Sequence, residues 1–416
     1  MKVVIVGGGI GGMTLACKLA VGGIIAHVYD SAPRLEPIGL GVNLLPHAGK
    51  VMQAIGVIDE IAQRSVETYE STFFNRFGQH IYSEPAGRHA GYDLPQYSVH
   101  RGDLHQPMLH RFIELAGAER VHTGHRCVGF EQDADGVTVH FHDTATDAPL
   151  PSVRCDVLIA ADGIHSVIRK QLHPGEGDPV YSGVNMWRGA VVHKPFLHGA
   201  NMVRLGWLKT GKLVLYPIRN DVDGQGNQLV NWVVEIETPK YKAKRDWNKE
   251  GSIDDFIGAF EGMHFDWLDV PALLRGTQKI LEYPMVDQDP LPFWTSGRVT
   301  LIGDAAHPMY PRGSNGACQA IIDGDVLGRA LLGAADPRDA LEAYEAERRP
   351  ATTRVVLTNR STPPDIILKE VFDRTGDKPF EDIDMVISPE ELAELSNNYK
   401  KIAGFDRERL ATAGAN

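Results

Sequence analysis

The chain has 416 residues and a net charge of −12, from 42 lysines and arginines against 54 aspartates and glutamates. This acidic balance, without any basic run, argues against a nucleic-acid surface. The length suggests two domains, and the composition is that of a soluble globular protein. No apolar run approaches the length of a membrane span and no signal peptide precedes the first strand, so we expect a cytoplasmic protein. The four cysteines have no metal-ligand spacing, so we expect buried thiols and no metal site.

The first elements of the chain form a dinucleotide-binding fingerprint. Lys2–Val6 is an apolar run typical of a buried parallel strand, and a glycine-rich turn and a helix to about Ala20 follow it. The next strand, Ala26–Tyr29, ends at an aspartate. The glycines permit a tight turn and the approach of a pyrophosphate, and the aspartate would accept hydrogen bonds from ribose hydroxyls. The residues predicted to bind the dinucleotide here are Gly7, Gly9, Gly12 and Asp30, with Ile10 and Gly11 in the same turn.

A loop rich in glycine and proline is predicted for residues 33–47. Such a loop could lie against the far end of the bound cofactor, with Gly41, Val42 and Asn43 near it. No second fingerprint follows, so only one dinucleotide has a dedicated unit in this chain.

Tyr97–His110 is predicted to be a strand end followed by a helix, with Arg101 at the junction. A solvated helix-start residue and a cofactor contact are both compatible with Arg101. Val137–Phe141 alternates between apolar and polar residues in the manner of an edge strand.

Two further strands each end in an aspartate next to a glycine. Cys155–Ala160 runs into Asp162-Gly163, and Arg298–Ile302 runs into Gly303-Asp304. Each could be an ordinary strand–turn–helix. Together they suit a flavin. A strand-end carboxylate can accept hydrogen bonds from the hydroxyls of a polyol, and a glycine-rich helix start favours negative charge. That helix start follows a stiff loop that contains Pro311, and it consists of Gly313, Ser314, Asn315 and Gly316.

The middle of the chain, from about Tyr181 to Pro284, lacks alternating helices and is predicted to be an inserted antiparallel sheet. Asp246–Leu274 is predicted to be helical cover. The candidate residues for a substrate wall are Trp187, Arg188, Tyr216 and Trp232. Core packing also explains the tryptophans, and a structural ion pair also explains the arginine.

The C-terminal part is predicted to be helical. Pro350 is expected to interrupt one helix, and the polar tail from Thr362 to Asn416 shows no recognisable chemistry.

The three motifs, in this order, resemble those of the single-component FAD-dependent aromatic hydroxylases, the group A flavoprotein monooxygenases. The resemblance extends to about residue 360. The segments YSVHRG, MWRG, YPI, NWV and YPMV are most similar to the phenazine-1-carboxylate hydroxylase branch of pyocyanin synthesis.

The resemblance implies an α/β fold with a Rossmann-like FAD-binding domain, an inserted antiparallel β-sheet substrate domain and C-terminal helices. The FAD-binding domain would comprise residues 1–75, 98–178 and 285–355. The substrate domain would comprise 76–97 and 179–284, and the tail 356–416.

The resemblance also implies the roles of particular residues. Arg101 and Asp162-Gly163 would lie near the pyrophosphate and ribityl chain, and Asp304 would bind the ribityl hydroxyls. The backbone from Gly313 to Gly316 would meet the pyrimidine edge of the flavin, and Pro311 would border the carbon that reacts with oxygen. NAD(P)H would act as a transient reductant, and a flavin C4a-hydroperoxide would hydroxylate a small aromatic substrate, N-heteroaromatic or carboxylated compounds included. An oxidase or reductase of the same fold, without oxygen insertion, is the alternative.

Two positions depart from the family pattern. Many relatives carry arginine where Glu36 and Gln288 stand here. Both differences remove a positive charge, so flavin mobility or the choice of reductant could differ.

Overall fold

The computed structural model describes residues 1–36, 39–238, 250–404 and 406. At its centre is a six-stranded sheet. Its neighbouring strands pair in parallel, except that Thr295–Ser296 and Val299–Leu301 at one edge are antiparallel. In spatial order its strands are Thr295–Ser296, Val299–Leu301, Val157–Ala160, Val3–Val6, His27–Tyr29 and Val121–His122. The strands that precede the glycine fingerprint and the two strand-end aspartates are therefore neighbours, and their carboxyl ends share one edge.

Three helices pack together beside this sheet. Ile10–Val21 contacts both Gly316–Gly333 and Arg101–Ala116. A Cβ atom at Gly324 would lie 2.9 Å from the backbone nitrogen of Leu15, so the close approach of the two helices requires glycine at this position. The other α-helices are Pro46–Ala54, Ile58–Gln63, Val167–Leu172, Val270–Arg275, Pro337–Ser361, Ile366–Thr375 and Pro389–Ala403. Within the described ranges, no helix combines the length and apolar composition needed to cross a bilayer.

The predicted inserted sheet has seven strands, and we call it the large sheet. In spatial order they are Leu281–Asp287, Val180–His193, Gln228–Glu237, Gly211–Arg219, Asn201–Trp207, Glu70–Phe74 and His80–Pro85. All neighbours are antiparallel except Asn201–Trp207 and Glu70–Phe74. The sheet thus begins before residue 76 and continues beyond residue 284. The predicted combination of a Rossmann-like part, an antiparallel sheet and C-terminal helices is confirmed.

Three smaller sheets complete the β-structure. They consist of His125–Gln132, Val137–Asp143 and Val153–Cys155; of Gly41–Leu44, Tyr97–His100 and Ser65–Glu67; and of the pair His264–Phe265 and Leu268–Asp269. Val137–Asp143 is the middle strand of the first sheet, so its prediction as an edge strand was wrong. Its alternation arises because one face of this sheet is buried and the other is partly exposed.

Two other sequence predictions were wrong in part. Within 33–47, the structure has a strand at Gly41–Leu44 and a helix that begins at Pro46, because pairing with Tyr97–His100 stabilises an extended segment that composition marks as a loop. Residues 37 and 38 lie outside the described residues. The described part of 246–274 contains short 3₁₀ turns and a two-stranded pair, and its α-helix spans only Val270–Arg275. The segment still covers the large sheet, since Phe256 and Phe260 are buried against it.

Pro350 does not interrupt its helix, which runs from Pro337 to Ser361. A proline inside a helix costs about 3 kcal/mol, and buried contacts along one face of this helix offset that cost. The buried residues nearest the proline are Tyr344, Arg348, Thr352 and Val355.

A buried ion network centres on Asp323 in the helix Gly316–Gly333. Its Oδ2 accepts hydrogen bonds from the backbone N–H of Gly303 at 2.9 Å and from His307 Nε2 at 2.5 Å, and its Oδ1 accepts one from Arg348 Nε at 2.7 Å. Burial acts to raise the pKa of Asp323, but His307 and Arg348 outweigh it and lower the pKa to about 2. Asp323 thus fixes the turn that carries Asp304.

We expect Asp323→Asn to lower the free energy of unfolding by roughly 3–5 kcal/mol, because it leaves the buried guanidinium of Arg348 without its countercharge. The folded pKa lies below the ordinary value of 3.8, so the carboxylate stabilises fully above that pH and loses its effect as the pH falls towards 2. Denaturant unfolding at pH 7 and pH 3 should show a smaller difference from wild type at pH 3. Asp325→Asn, which removes a more exposed carboxylate that pairs with Lys18, should cost less than about 1 kcal/mol. Equal losses in the two variants would contradict a central role for Asp323.

Candidate active site

A cleft of about 310 Å³ opens at the carboxyl ends of the parallel strands. We call it the glycine cleft. Its lining includes Gly9, Ile10, Gly11, Val42, Arg101, Gly163, Arg188, Gly303, Asp304, Gly316 and Ala317. Most of these residues were predicted to bind the cofactor.

The fingerprint glycines have different tasks. A Cβ atom at Gly7, where φ is +105°, would lie 2.2 Å from the carbonyl oxygen of Ala161, and one at Gly12 would lie 2.0 Å from the carbonyl oxygen of Gly7. These two glycines permit the tight turn and the close packing of helix on strand. A Cβ atom at Gly9 would meet no other atom within 4 Å, so the backbone there is open to the cleft.

Asp30 and His105 hold the fingerprint turn. Asp30 accepts hydrogen bonds from the backbone N–H groups of Gly8 and Ala32, both at 2.7 Å. His105 Nε2 donates to the carbonyl oxygen of Gly8 at 2.6 Å, and burial lowers the pKa of His105, which favours the neutral imidazole. Sequence reasoning missed His105, since nothing local marks a helix residue that reaches a turn 97 positions away.

The two strand-end aspartates differ in environment. Asp162 Oδ2 accepts from the N–H of Val167 at 3.0 Å, while Oδ1 is buried without a hydrogen-bond partner, and burial raises the pKa of Asp162. Asp304 is exposed and borders the cleft. A buried carboxylate oxygen without a partner and an accessible carboxylate are both suited to polar groups of a ligand.

Arg169 connects the loops that carry these aspartates. Its Nη2 donates to the carbonyl oxygen of Ile164 at 2.6 Å, and its Nη1 donates to that of Asp304 at 3.2 Å. Glu176 accepts from Nε at 2.9 Å, so the buried guanidinium is compensated. One side chain therefore sets the separation of the two motifs.

A second cavity, of about 260 Å³, lies between the large sheet and the loop that precedes Gly316. We call it the sheet pocket. It shares with the glycine cleft the residues Val42, Arg188, Asp304, Gly316 and Ala317, so the two cavities have a common rim. Its further lining includes Met186, Val214, Tyr216, Val233, Pro311, Ser314 and Asn315.

One face of the large sheet forms the floor of the sheet pocket. Arg188 pairs across the strands with Val233, Val233 with Val214, and Val214 with Arg204. The row thus has an arginine at each end and two valines between them. Arg188 Nη2 donates to the carbonyl oxygen of Gly41 at 3.0 Å, while its Nε is buried without a partner.

Tyr216 closes the floor on the side of Gly41. A Cβ atom at Gly41 would lie 2.7 Å from Cε2 of Tyr216, so the glycine allows the ring to sit against the strand. Burial raises the pKa of Tyr216, and the hydroxyl, which bonds Asn43, is neutral near pH 7.

Trp187 and Trp232 do not line either cavity, and the candidacy of Trp187 as a catalytic residue is corrected. Trp187 lies on the opposite face of its strand from Arg188 and packs against Phe256, with ring centroids 5.3 Å apart. Trp232 is fully buried and its Nε1 donates to Thr277 Oγ1 at 2.8 Å. Both fill the core behind the sheet.

The loop before Gly316 is supported from behind by the C-terminal helices. A Cβ atom at Gly313 would lie 1.5 Å from the Tyr399 hydroxyl, so the Cα of Gly313 packs against the tail, and the predicted contact of its backbone with the flavin stays a prediction. The Tyr399 hydroxyl donates to Asn359 Oδ1 at 2.9 Å, and Asn359 Nδ2 donates to the carbonyl oxygen of Tyr310 at 3.1 Å. Ser314 follows in the left-handed region, with φ at +50°.

The two departures from the family pattern lie in different surroundings. Glu36 is exposed. Gln288 is buried, and its amide donates to the carbonyl oxygen of Gly177 at 2.8 Å. Beside it, Arg360 donates to both oxygens of Asp287 at 2.8 Å, so a cation from a distant helix stands next to the position that lacks one.

Comparison with known proteins identifies the cofactor. Residues 1–191 and 286–359 match the family described as the FAD binding domain. The chain belongs to the FAD-dependent aromatic hydroxylases. It is 39% identical over 361 residues to the phenazine 1,6-dicarboxylic acid hydroxylase of Lysobacter antibioticus, covering 86% of this chain and 89% of that one.

Two further similar proteins support the same family assignment. The 3-amino-4-hydroxybenzoate 2-monooxygenase of Streptomyces platensis is 32% identical, with 85% of each chain covered. The structure of Klebsiella pneumoniae HpxO complexed with FAD and uric acid superposes with a TM-score of 0.74 at 25% identity, covering 99% of this chain and 97% of that one. The chain is thus a flavoprotein monooxygenase that binds FAD, dependence on NAD(P)H is typical of its family, and the oxidase or reductase alternative is not supported.

Substitution of two fingerprint glycines should separate folding from cofactor binding. Gly12→Ala forces its methyl group onto the Gly7 carbonyl and should lower the free energy of unfolding by about 1–3 kcal/mol. Gly9→Ala meets no atom in the protein, so the apoprotein should keep its melting temperature. Its methyl group would enter the glycine cleft, and the dissociation constant for FAD should rise roughly tenfold or more. Calorimetry of the apoproteins and fluorescence titration with FAD give the two quantities. Undiminished FAD affinity in Gly9→Ala would contradict close approach of the cofactor at this turn.

Proposed function

We propose that this hydroxylase acts on an aromatic carboxylic acid of the fused N-heteroaromatic type, and that Arg188 binds the substrate carboxylate. The observation that carries the proposal is the buried Nε of Arg188, which has no hydrogen-bond partner at the rim shared by the two cavities. An unsatisfied buried donor costs about 1–3 kcal/mol, and a carboxylate removes that cost with a charge-assisted bond. Two relatives are named for carboxylated aromatic substrates, one of them a phenazine.

The proposed FAD contacts combine the lining of the glycine cleft with the roles that the family resemblance implies, since Asp30 and Asp162 are not among the lining residues. Asp30 would take the adenosine ribose, the open backbone at Gly9 the pyrophosphate, and Arg101 and Asp162 the pyrophosphate and ribityl chain. Asp304 would take the ribityl hydroxyls. FAD, when bound, supplies the redox chemistry that passes electrons from NAD(P)H to O2 and delivers one oxygen atom to the substrate.

The protein's own part is to orient the substrate and exclude water. The valine floor and Pro311 offer an apolar surface for a flat ring, and Arg188 fixes its orientation. The first turn of Gly316–Gly333 lies at the shared rim, where its free N–H groups favour negative charge on a bound group. Tyr216, as a neutral phenol, is suited to donate or accept a hydrogen bond rather than to act as a base at neutral pH.

We also propose a division of labour close to the predicted one. With the boundaries moved to those of the large sheet, residues 1–69, 98–178 and 288–355 would bind FAD, and 70–97 with 179–287 would form the substrate domain. The tail from residue 356 has a chemical role that its sequence does not suggest, since Asp365 lines the sheet pocket.

We expect Arg188→Met to raise the KM for an aromatic acid roughly 10- to 100-fold, because the variant lacks one charge-assisted bond to the substrate carboxylate. Arg188→Lys keeps the positive charge, so it should raise the KM for the acid less than Arg188→Met does. The methyl ester of the same acid should show similar KM values with wild type and Arg188→Met. FAD content is measured in parallel, because Arg188 also binds Gly41. If Arg188→Met raises the KM for the acid and for the ester equally, the arginine is structural and the proposal fails.

Tyr216→Ala should admit water beside the flavin, so that more of the NAD(P)H consumed ends as hydrogen peroxide. Tyr216→Phe keeps the ring and should retain most of the wild-type ratio of product to NAD(P)H oxidised. Trp187→Phe, on the opposite face of the sheet, should leave the ratio unchanged even if stability falls. An unchanged ratio in Tyr216→Ala would remove Tyr216 from the substrate wall.

A further inference from the structure

The sheet pocket contains a second group of charges, at residues that line it but not the glycine cleft. We call this group the distal quartet: Arg204, Lys212, Glu235 and Asp365. All four side chains are at least nine-tenths buried. Buried charges at a ligand cavity bear directly on which ligand charges the cavity accepts.

The row of paired residues that forms the floor of the sheet pocket runs from Arg188 at one end to Arg204 of the distal quartet at the other. Arg204 is three strands away from Arg188, which corresponds to about 14 Å between backbones at the usual strand spacing. In the adjacent row, Lys212 pairs across the strands with Glu235, and both Glu235 oxygens accept from Lys212 Nζ at 3.0 Å. The apolar floor therefore ends in cationic side chains on both sides.

In the part of the chain that the structure describes, only the Arg204 end of the floor is neutralised by a carboxylate from outside the sheet. Asp365 directly precedes the helix Ile366–Thr375. Its Oδ2 accepts from Lys212 Nζ, and its Oδ1 lies 3.1 Å from Arg204 Nε. With Asp365 the quartet has two cations and two carboxylates, and without it one positive charge would remain in excess. Within the described residues, no carboxylate pairs with Arg188, whose Nη2 donates to the carbonyl oxygen of Gly41.

We propose that Asp365 determines substrate specificity by occupying the distal cations, so that the enzyme accepts one carboxylate, at Arg188, and rejects a second carboxylate at the Arg204 end. A second carboxylate would meet the Asp365 carboxylate in a buried space, where like charges repel strongly. The inference rests on the proposed function, because it takes an aromatic acid as the substrate.

The test uses phenazine-1-carboxylic acid and phenazine-1,6-dicarboxylic acid, the second being named for a relative's activity. Dissociation constants are measured with the FAD-loaded protein by the change in flavin absorbance, and product formation is measured separately. Wild type should bind the monoacid more tightly than the diacid. Asp365→Asn keeps the shape and removes the charge, and it should shift the ratio towards the diacid by about tenfold or more.

Two further variants make the result decisive. Asp377→Asn breaks another link between tail and large sheet, the ion pair with Arg76 at 2.9 Å, outside the sheet pocket, and should leave the ratio unchanged. Glu235→Gln changes the charge of the quartet by the same amount as Asp365→Asn. It should shift the ratio towards the diacid as well, and it replaces Asp365→Asn in the test if that variant does not fold.

Three results would overturn the inference: a wild type that prefers the diacid, a folded Asp365→Asn with the wild-type ratio, or the same shift in Asp377→Asn. Failure of the proposed function has a different signature, in which wild type binds neither acid and Arg188→Met changes nothing.

Discussion

The guanidinium of Arg169 is the contact on which the cofactor site depends. It donates to the carbonyl oxygens of Ile164 and Asp304, and Glu176 balances its charge. The two loops follow neighbouring parallel strands, Val157–Ala160 and Val299–Leu301. Because a guanidinium is planar and its donors are rigidly spaced, it holds two carbonyls at a defined distance as a lysine could not. Asp323 acts in the same way on the other side of the second loop, at the N–H of Gly303.

The local elements of this architecture were predictable from the sequence. The strand at Val3–Val6, the glycine turn, and the strands that end before Asp162 and Gly303 follow from short-range patterns of apolar runs, glycines and acids. The alternation of side chains along a strand puts successive residues such as Trp187 and Arg188 on opposite faces, although it cannot tell which face lines a cavity.

What escaped prediction depends on partners distant in sequence. His105 reaches Gly8, and Asp365 reaches Lys212, across 97 and 153 positions. No local pattern distinguishes such a residue from a solvated one, because its significance arises from the packing of separate elements. Pro350 is the converse case, in which a strong local signal was overruled by the buried face of its helix.

The support given by the C-terminal helices has a consequence for biosynthesis. Gly313 fits against Tyr399, and Gln319 donates to the carbonyl oxygen of Ala403 at 3.2 Å, so the helix Pro389–Ala403 backs the loop between the two cavities. The fingerprint turn leaves the ribosome hundreds of residues before that helix. Since folding during synthesis proceeds from the N-terminal side, the fingerprint turn can form early, while the loop before Gly316 gains its support only when the tail has been made. FAD capture should then be a late event, completed after most of the chain has been made.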